Sequence, residues 1–455
     1  MDKRGACPTL REPMLTGDGL LVRLSPAGTG WSPSDLAALA RAAARFGSGI
    51  LEVTSRGNLQ IRGLTPPNAA ALADHVEELA IPLRNGLAID TGPLASIDAG
   101  EIIDPLPLAR ELHETLEAAG LTARLAPKMS VVIDGGGALG MGDVIADVRL
   151  TADAASRGWL IAIGGTAHTA RPLGVVAASE AIAATMALLE AIAAKGKMAR
   201  GRELSDAELA VLLDGPPLRR RYAAPPLPPS RGERIGDSHC RHPLPLQGGE
   251  VPSEARRRGG WPVGRFALKD ASLATAFALP FGQIDAATLM AFCAAVADAG
   301  AAEIRLAPGR GLIVPGFDAE TCTALEAMAV ALGFITNSAD PRLAIAACAG
   351  APFCASAHIA TRALGAEIAA QAPELLVGRT LHVSGCDKCC AEPPAPYFTM
   401  LGTADGCVIL PGDGRNAAAE QPVAAGEALA ALRRLADTER AHEHETARDP
   451  QPAES

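Results

Sequence analysis

SPSDLAALARAAARFGSGILEVTSRGNLQIRGL, residues 32–64, returns without a gap 253 positions later as DAATLMAFCAAVADAGAAEIRLAPGRGLIVPGF, residues 285–317. Leu36 falls on Leu289, Gly47 on Gly300, Leu59 on Leu312 and Gly63 on Gly316. The matching alanines decide little in so alanine-rich a chain. In the first copy Ser32 is a helix N-cap, Pro33 takes the first helical position and Asp35 closes a capping box. Leu36, Leu39, Ala43 and Phe46 line one face of the predicted helix, which Gly47 ends. A strand at 50–54, a turn at 55–58 and a strand at 59–62 follow, and a further strand at 20–24 precedes. In the second copy the turn is Gly-rich, Pro308-Gly309-Arg310-Gly311.

Strand, helix, strand, strand is half of a ferredoxin-like sandwich. Internal duplication is the economical reading, and two similar halves can pair around a pseudo-two-fold axis. Each half leads into a longer α/β stretch. After the first come Arg84-Asn85, a helix at 106–118, a strand entered through Pro127-Lys128, further strands at 145–150 and 159–163, and a helix at 176–194. After the second come a loop, a helix and a strand that runs into Gly385. The expected fold is therefore α+β, with a first half-domain at 1–75 and its α/β domain at 76–214. A Pro/Arg/Gly-rich linker or insertion follows at 215–262, then a second half-domain at 263–335 and its α/β domain at 336–436. A charged tail expected to be disordered ends the chain at 437–455.

The second α/β stretch holds the chemistry. It carries CAGAPFC (Cys348, Cys354) and HVSGCDKCC (Cys386, Cys389, Cys390), five of the ten cysteines within 43 residues. Two close pairs separated by one structural unit suit four thiolates around one metal centre. An iron–sulfur cluster takes four such ligands, and so does structural zinc. The five-residue spacing between Cys348 and Cys354 is wide for a zinc knuckle. Spacing alone leaves the second pair open, Cys386 with Cys389 or with Cys390, and it leaves room for plain buried cysteine. His239, Cys240 and His242 sit in the linker, a poor setting for a metal site.

With 41 Lys and Arg against 51 Asp and Glu, the chain has a formal net charge of −10. Non-specific nucleic-acid binding runs on basic surface and is not expected. A local basic pocket for an acidic ligand is compatible with that balance. The N-terminal residues show no apolar signal region, and no apolar run approaches a membrane span of about 18 residues. A cytoplasmic protein is the expectation, and in that compartment clustered cysteine means metal or redox chemistry more often than disulfides.

Three features together resemble the sulfite and nitrite reductase superfamily. They are the duplicated half, Cys348/Cys354 followed by Cys386/Cys390, and Thr54-Ser55-Arg56 feeding Gln60-Ile61-Arg62. Gly5-Ala6-Cys7-Pro8, Gly17-Asp18-Gly19-Leu20-Leu21-Val22-Arg23 and His382-Val383-Ser384-Gly385-Cys386 with Lys388 are similar to its precorrin-3B synthase branch. The resemblance implies nitrite/sulfite-reductase-type α/β domains and a 4Fe–4S cluster on Cys348, Cys354, Cys386 and Cys390, with Cys389 spare. It implies dioxygen-dependent hydroxylation of precorrin-3A at the meso carbon between rings A and D, with γ-lactone formation, in aerobic cobalamin biosynthesis. A mononuclear non-haem iron is implied as well, for which no His/carboxylate motif is visible. In the reductases a pair of lysines two residues apart handles the small anion and the last thiolate bridges to sirohaem. Lys128 fits the first lysine, but Ser130 stands at the second. That departure turns the expectation away from sirohaem and sulfite or nitrite.

A substrate with many carboxylate arms calls for Arg and Lys in the pocket. Arg56 and Lys128 are the candidate catalytic residues. Arg56, Gln60, Arg62, Arg84, Asn85 and Lys128 are the candidate substrate-binding ones, Gln60 and Arg62 facing one side of their strand. The glycines at 135–137 and at 140 and 142 follow a strand without opening a helix, so no dinucleotide fingerprint is recognised. NADH is expected to supply electrons indirectly, through an external donor protein. The rivals are a sirohaem-dependent sulfite or nitrite reductase and a non-catalytic iron–sulfur electron carrier or zinc-stapled module.

Overall fold

The computed structural model describes residues 8–214, 263–393, 396–412 and 421–448. The expected linker at 215–262, with His239, Cys240 and His242, lies outside the described residues. The first half-domain runs β1 (Met14–Thr16), β2 (Gly19–Leu24), α1 (Pro33–Phe46), β3 (Ile50–Val53), β4 (Leu59–Leu64) and α2 (Pro66–Glu78). At the start of α1 the Ser32 hydroxyl oxygen accepts from the Asp35 amide (3.1 Å) and donates to the Asp35 carboxylate (2.8 Å). The box thus closes through the hydroxyl. The Thr65 hydroxyl accepts from the Asn68 amide (3.4 Å) at the start of α2, ahead of two prolines. That helix runs past the boundary expected at 75.

The first α/β domain comprises β5 (Ala88–Thr91), α3 (Leu106–Ala118), β6 (Ser130–Asp134), β7 (Ala146–Asp153), β8 (Gly158–Gly165), β9 (Arg171–Val176), α4 (Ala181–Lys195) and α5 (Asp206–Asp214). β5, β6 and β7 are parallel, while β8 and β9 return antiparallel. Leu108, Leu112 and Leu116 recur every four residues on α3. With Leu188, Leu189 and Ile192 of α4 they bury the sheet face of Val131, Ile133, Val148 and Leu150.

The second half-domain repeats the first: β10 (Gly264–Ala267), β11 (Leu273–Ala278), β12 (Gln283–Asp285), α6 (Ala286–Asp298), β13 (Arg305–Ala307), β14 (Gly311–Phe317) and α7 (Ala319–Ala331). Its α/β domain follows as β15 (Ile345–Ala347), α8 (Thr361–Gln371), β16 (Leu381–Ser384), β17 (Phe398–Thr403), β18 (Gly406–Pro411) and α9 (Ala428–Arg448). Here too three parallel strands are closed by an antiparallel one. Helix α9 continues to Arg448, so residues 437–448, expected to be disordered, have helical backbone. Residues 449–455 lie outside the described residues. Among the described residues no helix is long and apolar enough to cross a membrane.

Pairing around a pseudo-two-fold is visible residue by residue. Ile284 of β12 pairs with Leu51 of β3. Trp31 and Ile304 exchange backbone hydrogen bonds of 3.0 and 2.8 Å. The offset of 253 carries Leu51 onto Ile304 and Trp31 onto Ile284, so each contact is the image of the other. A self-complementary interface has this signature. Leu36 and Leu39 of α1 share one dry core with Leu289, Phe292 and Val296 of α6. Near the axis the two hairpin turns touch: Arg56 bridges Pro308, and the Gly309 amide donates to the Ser55 carbonyl (2.9 Å).

Candidate functional site

The cysteine loops leave the C-terminal ends of β15 and β16, which lie parallel, so both open on one edge of their sheet. Loops at this edge are where open α/β sheets bind ligands. The Gly385 amide donates to the Cys348 sulfur (3.2 Å), and the His358 amide donates to the Gly385 carbonyl (2.8 Å). The first half-domain joins them through the turn between β1 and β2. The Gly17 carbonyl accepts from Ala355 (2.8 Å), and a Cβ on Gly17 would lie 2.4 Å from the Cys354 sulfur. Only glycine fits there. Lys388 donates to the Ser356 hydroxyl (3.0 Å), tying the second loop to the first.

Partial burial and the like charges of Cys348, Cys386 and Cys354 push the Cys390 thiol up, while Arg62 pulls it down. Cys348, Cys386 and Cys354 therefore all lie within electrostatic reach of Cys390, and all four are free. Four free thiols with a backbone N–H aimed at one sulfur fit the donor set of an iron–sulfur cluster, whose sulfurs accept such bonds. Among the described residues no three His, Cys, Asp or Glu side chains converge as they would around a single ion. The described residues therefore do not fit a mononuclear iron. Cys389, with a left-handed φ of 47°, turns the chain just before Cys390. Cys354 does not open a helix, since α8 begins only at Thr361. It is Cys348 whose sulfur lies 3.9 Å from the Thr361 hydroxyl.

The candidate basic residues divide into two groups. Arg56 and Arg84 both grip Asp90 of β5, each at 2.8 Å. Burial alone would raise the Asp90 carboxyl, but Arg84 and Arg56 outweigh it and hold it below the ordinary carboxylate value. Arg56 also donates to the Ile145 carbonyl (2.6 Å), while the buried Arg149 donates to that of Met141 (3.0 Å), so the loop before β7 is pinned from two sides. Arg62 belongs to the second group. Its Nε and Nη2 reach Asp18 at 2.7 and 2.9 Å and its Nη1 reaches Glu52 at 3.0 Å. Burial would lower Arg62, but Asp18 and Glu52 reverse that and hold it firmly charged. Gln60, its amide oriented by its neighbours, accepts from Arg23 at 2.8 and 3.2 Å.

Lys128 and Asn85 join neither group. Both are exposed, and Lys128 sits in a turn two residues ahead of β6 rather than at its start. Ser130 is buried, with its amide held by Asp147 (3.0 Å). Sequence reasoning missed the carboxylates Asp18, Glu52 and Asp90, which commit the arginines. It also missed Arg310 and His382. Asp18 stands inside the Gly17-Asp18-Gly19 stretch quoted for the resemblance, whereas Asp90 and Glu52 carry no local mark.

Residues 12–79 match the model of the nitrite/sulfite reductase ferredoxin-like half domain. The solved structure of Mycobacterium tuberculosis NirA protein superposes with a TM-score of 0.62 at 19% identity, covering 86% of this chain and 73% of that one. At that identity the likeness speaks for the fold. A precorrin-3B synthase from Sinorhizobium sp is 39% identical over 439 residues, covering 95% of this chain and 89% of the relative. With the duplicated halves and the thiol-bearing edge in place, an identity of that extent shows that this chain belongs to the precorrin-3B synthase family.

Proposed function

We propose that the protein is an oxidoreductase that converts precorrin-3A to precorrin-3B by inserting one oxygen atom of dioxygen at the meso carbon between rings A and D. The other oxygen atom leaves as water, taking two electrons and two protons from a reductant. The observation that carries this reading is the identity of 39% to a precorrin-3B synthase along nearly the whole chain. Cys348, Cys354, Cys386 and Cys390 would hold a 4Fe–4S cluster. Bound there, such a cluster supplies single electrons taken from an external donor protein.

The chain's own residues bind and orient. Arg56 and Arg84, both held on Asp90, would offer positive charge to a ligand that carries many carboxylates. Asp90 holds Arg56 and Arg84 in place, so Arg56 offers only its remaining donors to a substrate arm. Arg62 is already committed to Asp18 and Glu52. Its role is to hold charge beside Cys390, where a positive neighbour favours thiolate over thiol. The Gly385 amide does the same for Cys348 by donating to its sulfur.

The deciding experiment is anaerobic purification with iron, sulfide and pigment analysis, then incubation with precorrin-3A, dioxygen and a reducing system. The expected product is the tetrapyrrole with one added oxygen atom, seen by mass spectrometry. An iron–chlorin absorption band in the isolated protein, with reduction of sulfite or nitrite and no oxygen insertion, would sink the proposal.

A further inference from the structure

The two hairpin turns that meet at the pseudo-two-fold each carry one arginine, and only one of the two is spoken for. Arg56 is tied to Asp90 and the Ile145 carbonyl. Arg310, on the second turn, is partly buried, and no hydrogen bond or ion pair engages its guanidinium among the described residues. Its backbone adopts φ = 78°, a left-handed value that strains any residue with a Cβ. The position 253 residues earlier is Gly57, with φ = 76°. The same strained corner is thus built twice, once with the residue that takes it freely and once with an arginine. Backbone strain kept where glycine would serve is a pointer to function.

The surroundings of this side chain are short of partners too. The Arg310 stem lies over Gly282, where a Cβ would come within 2.6 Å of its Cδ. Next to Gly282, the buried Gln283 has an Oε1 without a hydrogen-bond partner. His382 of β16 is fully buried with neither ring nitrogen bonded. Burial, with Arg310 contributing, pushes its imidazole down to about 4, so it stays neutral. Glu52, the carboxylate that acts on Arg310, is bonded to Arg62 and Gln283 instead. Desolvation lowers Arg310 rather than an ion pair raising it. A half-buried guanidinium that no carboxylate bonds directly is costly unless an anion comes to it.

We infer that Arg310 is a substrate-binding residue whose guanidinium takes a carboxylate arm of the tetrapyrrole, opposite the arms held from the Arg56 side. This rests on the reading of the substrate given above. The carboxylate lies between the first half-domain at Glu52 and the cysteine-bearing sheet at His382, so its capture fixes the macrocycle against both halves at once. A planar fork suits the task better than an ammonium.

The test is a titration of the anaerobically prepared full-length protein with precorrin-3A, followed by absorbance, for wild type, Arg310→Gly and Arg310→Lys. Arg310→Gly is expected to weaken binding by about 10- to 100-fold, as for loss of a charge-assisted hydrogen bond, with a corresponding rise in KM. Its melting temperature should match or exceed that of wild type, because glycine relieves the left-handed corner. Arg310→Lys should restore part of the affinity. Unchanged affinity in Arg310→Gly, or a fall in its melting temperature with affinity intact, would show that Arg310 serves the fold and overturn the inference alone. Failure of the wild type to bind precorrin-3A would overturn the substrate reading, and this inference with it.

Discussion

The sheet of β5 to β9 and the sheet of β15 to β18 both begin with three parallel strands before the chain returns antiparallel, yet they finish their second strands in opposite ways. At the end of β6, Asp134 accepts from the amides of Gly136 (3.1 Å) and Met141 (2.7 Å). On the same face Val132 is covered by Met141, Val144 and Ala146 in a dry cluster. The turn is closed by its own carboxylate and asks for nothing more. At the end of β16, Ser384 donates to the Cys386 carbonyl (2.7 Å), the Gly385 amide finds only a sulfur, and His382 occupies the place of Val132 with no partner. The comparison teaches that the fold needs neither the histidine nor the thiols. Local rules fail in the second copy where chemistry is carried.

The sharpest way to break the comparison is to remove a thiol. Cys390→Ser should abolish iron and sulfide binding and all turnover, whereas Cys389→Ser should keep both, as metal and acid-labile sulfide analysis would reveal. Equal loss in the two variants would refute the choice of Cys390.

Next in size is Asp90, which anchors Arg56 and Arg84. Asp90→Asn leaves Arg56 and Arg84 facing a neutral amide and should cost roughly 3 kcal/mol, the scale for breaking a buried ion pair, read from thermal unfolding. The sign with pH follows from a depressed folded carboxyl. Its contribution is complete above the unfolded value of about 4 and disappears as pH falls through the lower folded value. The gap between wild type and variant should therefore be constant from pH 7 to 5 and close below about 4. A gap that widens in acid would contradict this assignment.

Exchanging the two sheets' central residue gives a smaller effect of opposite sign. His382→Val, borrowing the solution of Val132, removes two buried unsatisfied nitrogens. It should stabilise the protein by roughly 1–2 kcal/mol, at some cost to substrate affinity. A destabilised variant would mean that His382 is already satisfied in solution. The smallest change is expected at Lys128. As an exposed side chain, its replacement by Ala should leave the melting temperature unchanged, so any loss of turnover would report a direct role with substrate.

How much of this was legible in advance differs between the two halves. The half-domains could be read because capping, helix periodicity and glycine stops are local and occur twice: Ser32 to Gly47 and Leu59 to Gly63 find their counterparts at one offset. The thiol set was legible as a spacing, but its closure was not. It depends on Gly17, contributed from more than 300 residues away in the chain, meeting Cys354. That Arg62 answers to Asp18 and Glu52, and Arg56 to Asp90, was not legible, since no pattern near either arginine announces its partners.

By itself, the sequence determined the duplication, the places where its strands and helices start and stop, and which residues could serve as thiolate or guanidinium donors. Those depend on backbone preference and side-chain chemistry within a few residues. The tertiary structure decided which cations are bonded to an acid and which are not: Arg56, Arg62 and Arg84 are engaged, while among the described residues no carboxylate bonds Arg310. A charge's partner is set by distance in space and by the loss of water around it, and neither is written in the order of the chain.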